Sequence, residues 1–300
     1  MMQKLLKYKN VLLGISVFLM ALSVIVVAIF GFKLGIDFTS GSLWQVEVPN
    51  ASVEDVREFF SEKFQIDELN ISLDENSDIF TLSLRELSDV ERQEIVGVLK
   101  ADFGQDAKEL DFWSVSPIVS KELSTKAWWA VGLVMIAISL YVTFAFRKVS
   151  KPVKSWKYGF ITLLTLVHDV ILPVGLFAIL GKTQNVFVDI NFIVALLVVM
   201  GFSVHDTIVV FDRIRETLLH QQGKINLEEV IDKSVTATVA RSINTSLTLI
   251  LVLLAIYFFG PISLKYFILA ILVGTIAGVY SSIFVASPLL LLVGKRVKDA

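Results

Sequence analysis

Apolar positions gather into six long runs, from about Val11 to Phe32, Ala127 to Phe146, Tyr158 to Leu180, Ile190 to Phe211, Ser242 to Phe259 and Tyr266 to Val293. A helix crosses a hydrocarbon core of about 30 Å with roughly 20 residues, so each run is long enough to span a membrane. Between the first and second runs the pattern changes. Ser42 to Val48 alternates as a strand does, while Ser52 to Phe64 opens on a Ser cap, has early acids and carries Val53, Val56, Phe59 and Phe60 at helical spacing. Leu69 to Leu73 and Ile79 to Leu84 predict a hairpin around Asp74 to Asp78. Ser88 to Phe103 predicts a second amphipathic helix stopped at Gly104, and Glu109 to Val115 a last strand.

The order βαββαβ is that of the split, ferredoxin-like motif. The expected fold is a polytopic α-helical membrane protein, with six transmembrane helices and a ferredoxin-like α+β domain between helices 1 and 2. Its expected bounds are 1–32 for the N-terminus and first helix, 33–126 for the inserted domain, 127–293 for helices 2 to 6 and 294–300 for a tail. The first run lacks a small-residue cleavage site and is too long for a signal sequence, which predicts a retained helix. Asn226 to Ala240, with Glu228 and Glu229 in its first turn, predicts a cytoplasmic amphipathic helix that leads into the fifth span and anchors at the membrane interface.

Charge distribution predicts the orientation, because Lys and Arg in short loops stay on the cytoplasmic side. Lys4, Lys7 and Lys9 precede the first span, Arg147, Lys148, Lys151, Lys154 and Lys157 fill the second connection, and Lys295, Arg296 and Lys298 close the chain. Both termini are then cytoplasmic and residues 33–126 lie outside. Composition agrees with a membrane protein, since 55% of the 300 residues are hydrophobic. A net charge of −2 supplies no basic field for nucleic acid, and the absence of cysteine removes disulfides, thiolate metal sites and cysteine nucleophiles.

Ionisable residues inside the apolar runs are the candidate chemistry, since a carboxylate in hydrocarbon costs about 2.5–3.5 kcal/mol or more and usually faces a bundle interior. Asp206 lies in the fourth run, about five residues before Phe211, and so roughly 7 Å inside the cytoplasmic boundary. Arg241 begins the fifth run at comparable depth and leads into a stripe of Asn244, Thr245 and Thr248. An Asp206–Arg241 ion pair would break on protonation; it would otherwise be a static tie between two helices. His168 and Asp169 fall near the membrane centre of the third run, with Thr165 on the same face and Pro173 free to bend the helix. Together with His205 they are candidates for a proton relay, and a satisfied hydrogen-bonding role is the alternative for His168. In the sixth run Gly274, Gly278, Ser281 and Ser282 form a small-residue seam for close helix approach. No nucleotide loop, nucleophile elbow or metal-binding pattern is present, so no cofactor, metal or catalytic residue is expected, and energy must come from an ion gradient or a partner.

Several of these blocks resemble one family. Gly35-Ile-Asp37-Phe-Thr-Ser-Gly41 after the first run is similar to a GxDFxGG motif, with Ser40 in place of a glycine. Leu166 to Val170, Gly201 to Glu216, Arg241 to Ser246 and Gly278 to Pro288 are similar to the motifs that follow it. Together they resemble the SecD/SecF protein-translocase family of the resistance-nodulation-division (RND) superfamily. The resemblance implies a subunit in a bacterial inner membrane that works with SecD beside the SecYEG channel, and with YajC and SecA. Such a subunit would use the proton-motive force to move an outer domain that pulls a preprotein outward through a lipid membrane.

It further implies that Asp206 is the proton-coupled carboxylate, Arg241 its counter-ion, and Gly35, Asp37 and Gly41 the hinge into the outer domain. Ser40 would stiffen that hinge. Phe202 and His205 stand where tyrosine and asparagine are usual, and His205 would either donate to Asp206 or replace an amide hydrogen bond. Two other classes remain open: an RND-type proton-coupled exporter of lipids or small hydrophobic molecules, and a non-transporting translocon scaffold.

Overall fold

The computed structural model describes residues 8–74, 78–147, 153–220 and 226–295. Lys4, Lys7, Lys148, Lys151, Arg296 and Lys298, and residues 75–77 of the expected hairpin turn, lie outside them. In chain order the elements are α1 (Lys9–Phe30), α2 (Ile36–Thr39), β1 (Gly41–Glu47), α3 (Val53–Phe64), β2 (Asn70–Asp74), β3 (Ile79–Leu84), α4 (Asp89–Phe103) and β4 (Lys108–Val115). They continue with α5 (Pro117–Ala145), α6 (Ser155–Gln184), α7 (Ile190–His220), α8 (Leu227–Phe259), α9 (Lys265–Ser281), a π-helical segment (Ser282–Ala286) and α10 (Ser287–Lys295). The chain divides into two compact units, Leu34–Ala127 and the helical remainder.

In the smaller unit, the four strands form an antiparallel sheet in the order β2-β3-β1-β4, the arrangement expected of a ferredoxin-like motif. Local chemistry sets the helix starts. Ser52 caps α3 reciprocally with Asp55, and the Ser88 hydroxyl accepts from the Glu91 amide at the start of α4. Alternation then decides the faces: Trp44, Val46, Phe80 and Leu82 are fully buried and pack with Val56, Phe60, Ile95 and Leu99 of the two helices. Trp44 meets Phe60 and Phe112 edge-on at 6.1 and 5.6 Å.

The entry to this sheet is sterically demanding. Gly41 has φ of 124°, and a Cβ there would lie 2.5 Å from the Leu84 carbonyl oxygen, so only glycine fits. Ser40 beside it has φ 65° and ψ 166°, a region that glycine populates and side-chain-bearing residues avoid at a cost of about 1–3 kcal/mol. Replacing Ser40 with Gly relieves that strain, offset in part by the greater freedom of glycine in the unfolded chain. Ser40→Gly is therefore expected to stabilise the unit by about 1 kcal/mol, read as slower hydrogen exchange of the β1 amides in the detergent-solubilised protein.

In the helical unit, six helices among the described residues are long and apolar enough to cross a membrane. They fall into two groups: α6, α7 and the continuous α9–α10 span bury half or more of their apolar windows, whereas α1, α5 and α8 bury less than a fifth. The inner three form the core. Val17, Phe18, Trp129, Leu140, Leu251 and Phe258 on the outer three are exposed, a surface suited to hydrocarbon or further helices. Close approach relies on small residues. A Cβ on Gly175 of α6 would lie within 2.8 Å of Ser23 on α1, and one on Gly274 of α9 would lie 2.3 Å from Val199 on α7.

The helix expected from Asn226 to Ala240 leads into the fifth span without a break. It is continuous with the fifth span in a single helix of 33 residues, capped by the Asn226 side chain. Its apolar face, Val230, Ile231, Val235 and Val239, is buried with Ile214 and Leu218 of α7 and Leu290 and Leu291 of α10. The α7 helix likewise continues past Phe211 to His220. Polar residues interrupt the hydropathy of both stretches, yet tertiary packing carries the two helices on together. At this end Phe146, Tyr158 and Phe211 form an aromatic cluster, with the Phe146–Tyr158 rings stacked at 5.1 Å. Lys9 pairs with Glu228 at 3.0 Å here, and Lys157 donates to the Val293 carbonyl.

Candidate functional site

The ionisable side chains buried in the inner helices gather in one layer. On α6, His168 and Asp169 are 1% and 0% exposed, and on α7 Ser203, Asp206 and Thr207 are buried as well. A carboxylate so enclosed persists only if its oxygens find donors. Asp169 has three. His168 Nδ1 lies 2.8 Å from Oδ1, Ser281 Oγ donates to Oδ2 at 2.8 Å, and Ser203 Oγ donates to Oδ2 across the α6–α7 contact. The His168 ring stacks on Tyr280 of α9 at 6.1 Å, and the Tyr280 hydroxyl donates to the Leu12 carbonyl of α1. Three helices, α6, α7 and α9, thus meet at one buried acid, and Tyr280 ties α1 to the same layer.

Asp206 lies three residues beyond Ser203, about 4.5 Å further along α7. Its Oδ2 accepts from Ser246 Oγ of α8 at 3.0 Å. Beside it is a cavity of about 40 Å³ lined by Ser203, His205, Thr245, Thr275 and apolar side chains. Thr207 Oγ1 and Ser282 Oγ lie 2.8 Å apart, which joins α7 to the π-helical segment. A π turn carries one residue more than an α turn and is frequent where function demands irregular backbone. Here it starts immediately after Ser281, the Asp169 donor. The carboxylates expected near the membrane centre and near the cytoplasmic boundary therefore belong to one layer, separated by a single helical turn.

The expected Asp206–Arg241 ion pair is not formed in this structure. Ser246 occupies the position opposite Asp206, and Arg241 lies five residues earlier on α8, offset by about 7 Å of helical rise. Arg241 is exposed and lines a separate groove of about 430 Å³ with Asp212, Arg213, Glu216 and Thr238. The reason is the register of α7 on α8, fixed by Ser234 Oγ donating to Thr217 Oγ1 at 3.2 Å and by the buried valines between them. The polar stripe that follows, Asn244, Thr245 and Thr248, is exposed, and of the three Thr245 also lines the cavity.

The other candidate residues fall as follows. His205 is exposed, lines the Asp206 cavity and makes no hydrogen bond to the Asp169 cluster among the described residues. Thr165 bonds to the Thr162 carbonyl of its own helix. Ser281 and Ser282, expected as packing residues, are also hydrogen-bonding members of the polar layer. Gly278 sits where a Cβ would be 2.9 Å from that of Ser203, so the seam sets the spacing that lets Ser203 and Ser281 share Asp169. The Gly35 carbonyl accepts from the Phe38 and Thr39 amides in α2, which also contains Asp37. Ser203, Thr207, Tyr280 and the role of Ser246 were not singled out in the sequence, although Ser203 and Thr207 stand four apart on the face of Asp206.

Fold and site together define a multi-pass helical membrane protein with an inserted ferredoxin-like unit and two linked buried carboxylates. Residues 95–296 match the family described as protein export membrane protein SecD/SecF, C-terminal, and residues 25–48 match the SecD/SecF GG motif. The chain belongs to the SecD/SecF family of protein-export membrane proteins. It is 42% identical to the protein translocase subunit SecF of Thermobaculum terrenum over 282 residues, 90% of this chain and 87% of that one. It is 32% identical to the protein translocase subunit SecDF of Brucella abortus, over 98% of this chain and 38% of the relative. The crystal structure of SecDF, a translocon-associated membrane protein from Thermus thermophilus, matches with a TM-score of 0.82 at 34% identity. That match covers 96% of this chain, which spans 38% of the SecDF chain.

Proposed function

We propose that this chain is a proton-coupled subunit of a bacterial protein-export machine, in which reversible protonation of Asp206 drives movement of the unit at residues 34–127 on a translocating polypeptide. The observation that carries the reading is the hydroxyl-lined layer holding Asp169 and Asp206 where α6, α7, α8 and α9 converge. Neutralising either carboxylate changes what its serine partners bond to, and those serines lie on different helices. A proton therefore acts on helix packing directly. Arg241 is the alternative partner of Asp206: a change of side-chain rotamer together with a slide of α8 spans the offset between it and the Ser246 position. His168 and His205 are candidates to pass protons to the layer, and Gly35, Asp37 and Gly41 form the hinge through which motion enters the outer unit.

The SecDF relatives supply the partner. In them a single chain carries this chain's counterpart plus a remainder, which here would be a separate SecD acting beside SecYEG. Positive charge supports an orientation with both termini cytoplasmic in the inner membrane: Lys9, Lys154 and Lys157 belong to one end of the bundle, the end to which Glu228 is tied. Domain bounds of 33–126 and 127–293 follow from the same reading.

The test is export of a reporter preprotein into inverted membrane vesicles with and without this chain and its SecD. Export is expected to slow on addition of a protonophore only where the chain is present. Equal protonophore sensitivity without it would reject the reading in favour of a scaffold.

A further inference from the structure

The oxygens around Asp206 include one that protein groups leave unsatisfied. Thr275 of α9 is 5% exposed, and its Oγ1 is buried without a hydrogen-bond partner among the described residues. Threonines in membrane helices ordinarily avoid this by bonding to the carbonyl one turn back, as Thr143, Thr162 and Thr207 do here. Thr275 does not, and it lines the cavity beside Asp206. A buried hydroxyl without a partner loses the hydrogen bonds it made to water, so such a group persists where a water can reach it.

The cavity meets the requirements for one. A water needs about 10–15 Å³ of such space and two to four polar partners. The volume is about 40 Å³, and Ser203, Asp206, Thr245, Ser246 and Thr275 supply polar groups from three helices. Phe202, Leu249 and Val279 line the remainder, with Phe202, His205 and Thr245 at its open side. The titratable groups facing it are Asp206 and His205, with Asp169 reached through Ser203.

We infer that Thr275 holds a water molecule against the Asp206 carboxylate, and that this water is the immediate carrier of the proton that Asp206 takes up and gives back. The step balances: an incoming proton makes the water hydronium, the hydronium gives it to a carboxylate oxygen, and a neutral acid and a neutral water remain. Release is the reverse. Thr275 is a positioning residue in this scheme, and the inference rests on the proton-coupling reading above.

The experiment compares Thr275→Val, which keeps the shape and removes the hydroxyl, with Thr275→Ser, which keeps the hydroxyl, and with Asp206→Asn, all in the SecD-containing complex. Protonophore-sensitive export is expected to fall about tenfold in Thr275→Val, a modest share of what a positioned proton donor contributes, and to be retained in Thr275→Ser. A density map that resolves waters should show one bonded to both Thr275 and Asp206 in the parent complex and none in Thr275→Val. Unchanged export in Thr275→Val, equal loss in both Thr275 variants, or a partner side chain or lipid in the cavity would each overturn the assignment. If Asp206→Asn also leaves the protonophore response intact, the proton-coupling reading itself fails; if only Thr275→Val does, the water assignment fails alone.

Discussion

Asp206→Asn is expected to reduce export to the rate measured with the proton gradient collapsed, without loss of the folded protein. The amide has nearly the shape of the carboxylate, and its oxygen can still accept from Ser246 Oγ, so the α7–α8 contact at 3.0 Å is kept. What it lacks is a proton to exchange. The measurement is reporter export in energised vesicles, parent against variant, each with and without protonophore. Ser246→Ala separates two roles: it removes the donor while leaving the acid, and it should weaken rather than abolish the gradient response. Arg241→Met is expected to abolish it, because in the proposed mechanism Asp206 pairs with Arg241 once it leaves Ser246. A response in Asp206→Asn equal to that of the parent would remove Asp206 from the mechanism, whatever Arg241→Met shows.

The second large effect is structural. Gly274→Val places methyl groups where Val199 of α7 already stands, since even a Cβ at Gly274 would be 2.3 Å from one Val199 methyl carbon and 2.6 Å from the other. Both residues would be β-branched with few χ1 options, so neither side chain can swing aside and the helices must separate. Overpacking of a well-filled site costs about 1–3 kcal/mol, and here the upper end applies. Separation of α7 from α9 also pulls Ser203 from Ser281, the pair that shares Asp169. The expected result is a fall of several degrees in the thermal unfolding midpoint in detergent, reversed in large part by adding Val199→Ala. A double variant no more stable than Gly274→Val would mean that the contact is not what the glycine serves.

The α+β unit was legible in the sequence almost residue by residue, because its signals are local: Ser52 and Ser88 announce helix starts, Gly104 an end, and β1 and β3 alternate with period two. Helix ends in the membrane unit were less legible. Hydropathy marks where lipid could surround a helix, whereas Leu227 to Arg241 and Asp212 to His220 are held by packing on each other and on α10. The same gap misplaced Arg241, whose distance from Asp206 depends on helix register and not on depth counted from a loop. Ionisable residues in the site stood out because they are costly in hydrocarbon. Their hydroxyl donors did not, since serine and threonine are ordinary in such helices, and only the rotation of α7 and α9 shows that Ser203 and Ser281 point at one carboxylate.

The π-helical segment at Ser282–Ala286 has a geometric consequence for the end of the chain. An extra residue in a helix turns everything after it by about 100° relative to an uninterrupted α-helix. With that turn, Ser281 and Ser282 look toward Asp169 and Thr207, while Leu290 and Leu291 look into the core under α8. Wound as plain α-helix, one of these two sets would have to face outward. The segment therefore acts as a phase shifter, setting a polar contact and an apolar one on the same side of a single rod.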